Sequence, residues 1–247
     1  MKRRDLFFAI IALLIAWQLL AWLLDKPILP GPWVVIQTFF TEFTNGLLGH
    51  LVASLWRVVA STALAIVLAA PAGLIMGQSA RVNGIFSPIV YLVYPIPKVV
   101  LVPVLLLIFG IGDLSKILII FIILFFQILV LVRDQAASLR PELIQSVRSL
   151  GAGRRALFRF VYLPASLPAI LTALRQSVGT AVAVLYIAEL FATQKGLGYY
   201  IYLNGSTLFN YPAMYAGILA MSLLGLGLYF SVDWLEKWLC PWMFVSG

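Results

Sequence analysis

A chain of 247 residues that is 63% hydrophobic and 11% charged, with mean hydropathy +1.04, carries more apolar side chain than a soluble domain of this length can bury. Lipid must solvate much of it, and long apolar runs such as Leu101–Phe109 and Ile117–Phe126 select helices over barrel strands, which alternate. The formal net charge of +8 clusters in the loops of one side, a pattern of membrane orientation rather than of nucleic-acid binding.

In chain order, Lys2, Arg3 and Arg4 precede an apolar run over about 7–24. Asp25-Lys26-Pro27 follows it instead of a small-residue cleavage site, so the run reads as an uncleaved first span. Residues 25–53 form an outer segment whose stretch Trp33–Phe43 is amphipathic and suited to the membrane interface. Five further spans of bilayer length fall at about 54–77, 86–110, 115–133, 168–190 and 211–235. The expected fold is therefore all-α: a bundle of six transmembrane helices in one transmembrane domain over 1–247. In the second span Ala65, Ala69, Gly73 and Gly77 recur every four residues, a stripe that serves close helix packing or lines a transport path. A very short outer link, Ile111–Leu114, joins the third and fourth spans.

With the N-terminus inside, the cytoplasmic segments hold Lys2, Arg3, Arg4, Arg81, Arg133, Arg140, Arg148, Arg154, Arg155, Arg159 and Lys237. The outer segments hold Lys26, Lys116 and Lys195, so both termini are expected in the cytoplasm. The only sizeable polar region is the cytoplasmic segment 134–167. Pro141 and Glu142 suit the first turn of a helix, and Leu143, Ile144, Val147 and Leu150 give it one apolar face. Gly151 and Gly153 allow a sharp break. A second short helix follows, apolar at Leu157, Phe158 and Val161 and basic at Arg154, Arg155 and Arg159, and Pro164 and Pro168 are expected to end it. The product is a helix, a glycine elbow and a helix, with a small exposed tip that meets a soluble partner or rests on anionic lipid.

Charges within apolar runs are costly, about 2.5–3.5 kcal/mol at a span centre, and so are informative. Arg57 and Arg175 lie towards span ends, where snorkelling to headgroups is expected. Lys98 sits mid-span between Pro97 and Pro103, and three readings stand: a partner for carbonyls freed by proline, a pair with Glu189, or a contact for a passing anion. Gln127 and Gln176 serve helix–helix hydrogen bonds or solute contacts. His50 is the single histidine, with a structural or interfacial role expected, and Cys240 the single cysteine, which leaves no cysteine-based metal site. No phosphate-cradling glycine loop, metalloprotease pair or nucleophile elbow occurs, so no catalytic residue and no metal site is assigned.

The run Gln145-Ser-Val-Arg-Ser-Leu-Gly151, nine residues, then Val161-Tyr-Leu163-Pro164 resembles the signature of permease subunits of binding-protein-dependent ABC importers. That signature is Glu-Ala-Ala, three residues, Gly, nine residues, Ile, one residue, Leu-Pro. Gly151, Leu163 and Pro164 match in register and Val161 replaces Ile, whereas Gln145, Ser146 and Val147 stand where the family has Glu-Ala-Ala. Pro95-Ile-Pro97-Lys98, Phe109-Gly-Ile-Gly112 with Ser115-Lys116, Ala188-Glu189 and Gly196-Leu-Gly198-Tyr are similar to the nitrate, sulfonate, taurine and thiamine-precursor group.

The resemblance implies a type I importer permease in a bacterial inner membrane. Its partners would be two ATP-binding subunits, an extracytoplasmic substrate-binding protein and a second copy of the permease, in a homodimer. ATP and magnesium would belong to the ATPase, with no cofactor on this chain. The coupling contact would fall on Gln145, Ser146, Val147, Ser149, Leu150, Gly151, Ala152, Gly153, Arg154, Arg155, Leu163 and Pro164. Lys98, Gln127, Gln176 and Glu189 are the candidates for the translocation path. The competing readings are a secondary transporter or channel, and a membrane-embedded enzyme, which would need converging catalytic groups.

Overall fold

The structure, a computed structural model, describes residues 3–191 and 193–243, without the side chains of Arg3, Leu6, Pro141 and Arg154. Lys2, counted above for orientation, and the Arg154 side chain of the coupling set lie outside the described residues. Helices α1 (Arg3–Leu24), α2 (Pro32–Glu42), α3 (Leu48–Gln78) and α4 (Ala80–Val93) are followed by a 3-10 turn (Lys98–Leu101), α5 (Val102–Phe109) and α6 (Asp113–Ala137). The remainder is α7 (Pro141–Ser149), α8 (Arg154–Leu157), α9 (Leu163–Leu190), α10 (Leu197–Tyr202) and α11 (Tyr211–Leu239). There is no strand among the described residues. Among the described residues five helical stretches are long and apolar enough to cross a bilayer, and α4 with the segment Lys98–Phe109 makes a sixth crossing if that bent pair is one span.

The chain forms two compact units. One comprises Met1–Leu55 and Glu189–Leu224. In it α1 exposes apolar side chains such as Leu13, Trp22 and Leu23, as a helix solvated by lipid should. Trp17 donates from Nε1 to the Pro30 carbonyl, 3.1 Å, and packs its ring on Tyr215. Helix α2 starts on Pro32, whose missing N–H costs nothing in the first turn. Gly46 at φ +127 breaks the path from α2 into α3, which therefore starts at Leu48, earlier than the span expected from 54.

The second unit comprises Trp56–Ala188 and Gly225–Gly247. Helix α6 is its core: Ile119, Ile120, Leu124, Ile128 and Val132 are at most 1% exposed. The small-residue stripe of α3 packs here. A Cβ on Gly73 would lie 2.8 Å from the Leu129 carbonyl oxygen, and one on Gly77 would lie 2.5 Å from that of Arg133. Only glycine admits this approach, and Gln78 adds a side-chain bond to the Ala136 carbonyl. Leu171, Leu174, Val178, Val232 and Cys240 form a further buried cluster.

The structure departs from the sequence expectations at three places. The third span is not one helix over 86–110: its two helical parts bend by 77° at Tyr94–Pro97. Pro95 and Pro97 lack the N–H groups that would continue α4, whose last helical backbone bond is from Tyr94 N–H to the Val90 carbonyl. Pro164 and Pro168 do not end the second short helix of segment 134–167. Helical backbone runs on from Arg154 to Leu190, because a wide turn at Phe158–Tyr162, in which Leu163 N–H reaches the Phe158 carbonyl, accommodates the first proline. Arg57 and Arg175 do not snorkel. Arg57 is buried and paired with Asp113 at 2.7 Å, and Arg175 meets Glu236 at 2.8 Å and Asp233 at 3.3 Å.

Candidate functional site

The elbow in segment 134–167 is built from short-range rules. Pro141 opens α7, Glu142 lies in its first turn where the helix dipole favours an anion, and Arg148 lies in its last. Ser146 and Ser149 turn their hydroxyls back to the carbonyls of Glu142 and Ser146. Gly151 has φ +84, a left-handed conformation costly for any side chain, and its N–H donates to the Arg148 carbonyl at 2.9 Å. Chain reversal follows, and Leu157 N–H bonds the Gly153 carbonyl to start α8.

Gln145, Ser149, Leu150, Gly151, Gly153 and Arg155 are exposed, while Val147 and Ala152 are half-buried. Leu150 is 85% exposed, a large apolar side chain offered to water at the tip. Leu157 and Val161 are buried, and the exposed Leu163 and half-buried Pro164 begin the long helix behind them. On the inner side of the elbow a cleft of about 720 Å³ is lined by Gln78, Ser79, Arg81, Arg148, Leu157 and Tyr162, among others.

Of the four path candidates, the structure brings two together. Lys98 and Gln127 line one cleft of about 380 Å³ with Tyr94, Pro97, Phe126 and Val184. The Lys98 ammonium donates to the carbonyls of Tyr94 at 2.9 Å, Val93 at 3.0 Å and Ile96 at 3.4 Å, and lies 4.8 Å from the centre of the Phe126 ring. The ammonium thus donates to three backbone carbonyls at the proline bend, one of which, Val93, also accepts from Ile96 N–H; backbone carbonyls are the first of the three partners considered for this residue. Gln176 is exposed on α9.

Glu189 is fully buried in the first unit. Its carboxylate faces the Ser54 hydroxyl at 2.8 Å from both oxygens and accepts from Gly198 N–H at 2.9 Å. Ser54 Oγ in turn accepts from Leu197 N–H at 2.8 Å. His50 Nδ1 lies 3.0 Å from the carbonyl oxygen and 3.1 Å from the amide nitrogen of Gly196. Gly196 has φ +125, and a Cβ there would lie 2.4 Å from the Glu189 carboxyl carbon. Tyr200 donates to Glu42 at 2.9 Å; burial, and then that carboxylate, push its hydroxyl well above the usual tyrosine range, so it stays a neutral donor.

Sequence reasoning did not find Ser54, Asp113, Asp233 or Glu236 as partners. The spacing of Asp233, Glu236 and Lys237 marks a charged helix end, but Arg175 joins it only through tertiary packing.

Residues 65–245 match the family described as binding-protein-dependent transport system inner membrane component. The chain belongs to that family. This permease is 34% identical over 238 residues to the taurine transport system permease protein of Escherichia coli (strain K12), covering 93% of this chain and 86% of the relative. It is 31% identical over 238 residues to the formylaminopyrimidine transport permease protein of Halalkalibacterium halodurans, covering 96% and 94%. Its fold matches a chain of the inward-facing methionine ABC transporter MetNI with TM-score 0.71 at 21% identity, over 80% of this permease and 98% of that chain. The permease is a multi-pass inner-membrane protein of type I fold, the transmembrane subunit of an ABC importer that works with an ATPase and a substrate-binding protein.

Proposed function

We propose that this permease forms half of a homodimeric pathway for a small solute of the sulfonate, taurine or thiamine-precursor type. ATP and magnesium sit on two separate ATPase subunits, and the whole chain 1–247 acts as one transmembrane permease domain with both termini in the cytoplasm. The relatives that carry taurine and formylaminopyrimidine in their names support the solute class. The excess of basic residues in the inner segments supports the orientation. Closed two-fold symmetry is the common way for identical chains to complete a shared pathway. The Lys98 and Gln127 cleft is proposed as part of the path, whereas the engaged carboxylate of Glu189 favours a structural place outside it.

The observation that carries the coupling assignment is the elbow with Leu150 exposed at its tip and Gly151 at positive φ. We assign Gln145, Ser146, Val147 and the run Ser149–Arg155, with Leu163 and Pro164 behind them, to the ATPase contact. ATP drives transport by binding two conformations of the complex unequally, and the elbow passes that difference into α9. The test is co-purification of the ATPase with the wild-type permease, with Leu150→Asp and with Gly151→Val, in parallel with solute uptake into proteoliposomes. Both variants should insert in the membrane, lose the ATPase on size exclusion and lose uptake. Full ATPase retention with normal uptake in both would remove the coupling assignment.

A further inference from the structure

The short outer helix α10 begins at Gly196, a position that has no side chain with which to cap its own helix. Its first amides are satisfied instead from elsewhere: Leu197 N–H by Ser54 of α3 and Gly198 N–H by Glu189, the penultimate residue of α9. The Ser54 hydroxyl also faces the carboxylate, so the three elements close one hydrogen-bonded ring that is sealed from solvent. Tyr200 ties the same helix to Glu42 at the end of α2, and Gly217 of α11 lies against Tyr200 and Ile201. An end cap supplied by two other helices holds only while those helices keep their spacing. A shift of roughly 1 Å stretches such bonds beyond the usual limit and leaves buried donors unpaired.

We propose that Glu189, seconded by Ser54, is the positioning residue that links the outer face of this permease to its ATPase. Docking of the solute-loaded binding protein moves or stiffens α10. The Glu189 carboxylate passes that change to α9, whose helical backbone begins directly after the cytoplasmic elbow. This role rests on the proposed orientation and on the elbow as the ATPase contact. A buried polar group in such a ring suits a two-state link, because a ring half broken is worse than one either closed or fully rearranged. Phe209, at φ +53 and 66% exposed, marks the outer loop that follows α10 as strained where it gains no burial, and such strain is common where a surface is used.

The experiment reconstitutes the complete importer and measures ATP hydrolysis with and without the binding protein purified with its native ligand. The affinity of that binding protein for the complex is measured in the same preparation. Glu189→Ala should lower the ratio of stimulated to basal hydrolysis at least fivefold while changing the affinity less than threefold. Ser54→Ala should give an intermediate loss, and Glu189→Gln, which keeps one acceptor oxygen, should restore part of the ratio. Unchanged ratios in Glu189→Ala and Ser54→Ala would overturn the proposal, and so would a loss of ratio and affinity in equal proportion, which is the mark of a docking residue. Should Glu189→Ala fail to assemble, Ser54→Ala decides by the same two numbers. Absence of stimulation in the unmodified importer would overturn the coupling reading as well, whereas stimulation that survives both substitutions overturns this proposal alone.

Discussion

Gly77→Ala tests the contact on which the packing of α3 against α6 rests. The added Cβ would lie 2.5 Å from the Arg133 carbonyl oxygen, 2.6 Å from the Ala136 Cβ and 3.0 Å from the Ala137 amide nitrogen, where 3.4–4 Å is ordinary contact. The helices must part by about 1 Å, and overpacking of this kind costs about 1–3 kcal/mol. Alanine returns up to about 1 kcal/mol in helix propensity, so with the full gain the net loss is about 0–2 kcal/mol. Gly84→Ala in α4, where a Cβ meets nothing within 4 Å, receives the propensity gain alone. The propensity gain is common to both, so the two variants should differ by the overpacking cost, about 1–3 kcal/mol, which is roughly 2–12 °C in melting temperature for a domain of this size. Thermal denaturation of the purified permease in one detergent, read by size exclusion, makes the comparison. If Gly77→Ala melts no lower than Gly84→Ala, the close approach of α3 and α6 is wrong.

In the Arg57–Asp113 pair the two ends are unequal, the side chains being 5% and 47% exposed. Asp113→Ala, which takes this carboxylate from a buried guanidinium, should cost about 1–3 kcal/mol, more than Arg57→Met, which leaves a half-exposed acid that water can reach; denaturation of both variants gives the order. Lys98→Met withdraws the donors from the Val93, Tyr94 and Ile96 carbonyls at the bend and should cost about 2–4 kcal/mol by the same assay, whereas Lys98→Arg retains most of the stability. Gly196→Ala meets both a positive φ and the Glu189 carboxylate and should cost about 2–5 kcal/mol, seen as faster hydrogen exchange at the first amides of α10.

Most of the architecture was legible because lipid makes helices the only answer to long apolar runs, and the elbow was legible because proline, acid and glycine act locally. The bend was not: Pro95 and Pro97 were visible, yet hydropathy is continuous across them and says nothing of direction. The π turn at Phe158–Tyr162 escaped for the opposite reason, since Pro164 looks like a stop until the widened backbone ahead of it is known. Lys98 was narrowed to three partners, and the carbonyls are one of them. Arg57 and Arg175 misled because an apolar context suggests a reach toward headgroups, while their carboxylates lie 56 and 58 residues away in sequence. Ser54 is the instructive omission: a lone serine in a span carries no signal until the fold brings Glu189 to it across 135 positions.

Cys240 has a practical consequence for anyone who wants to watch this permease move. It is the only sulfhydryl in the chain and is sealed from solvent, and burial followed by the neighbouring Glu236 holds it above its ordinary titration range. Maleimide and spin-label reagents need an accessible thiolate, so the native background is already quiet. Reporters placed at Leu150 and Phe209 would give two addressable positions, one at the elbow and one beside α10, without first engineering the protein's own sulfur away.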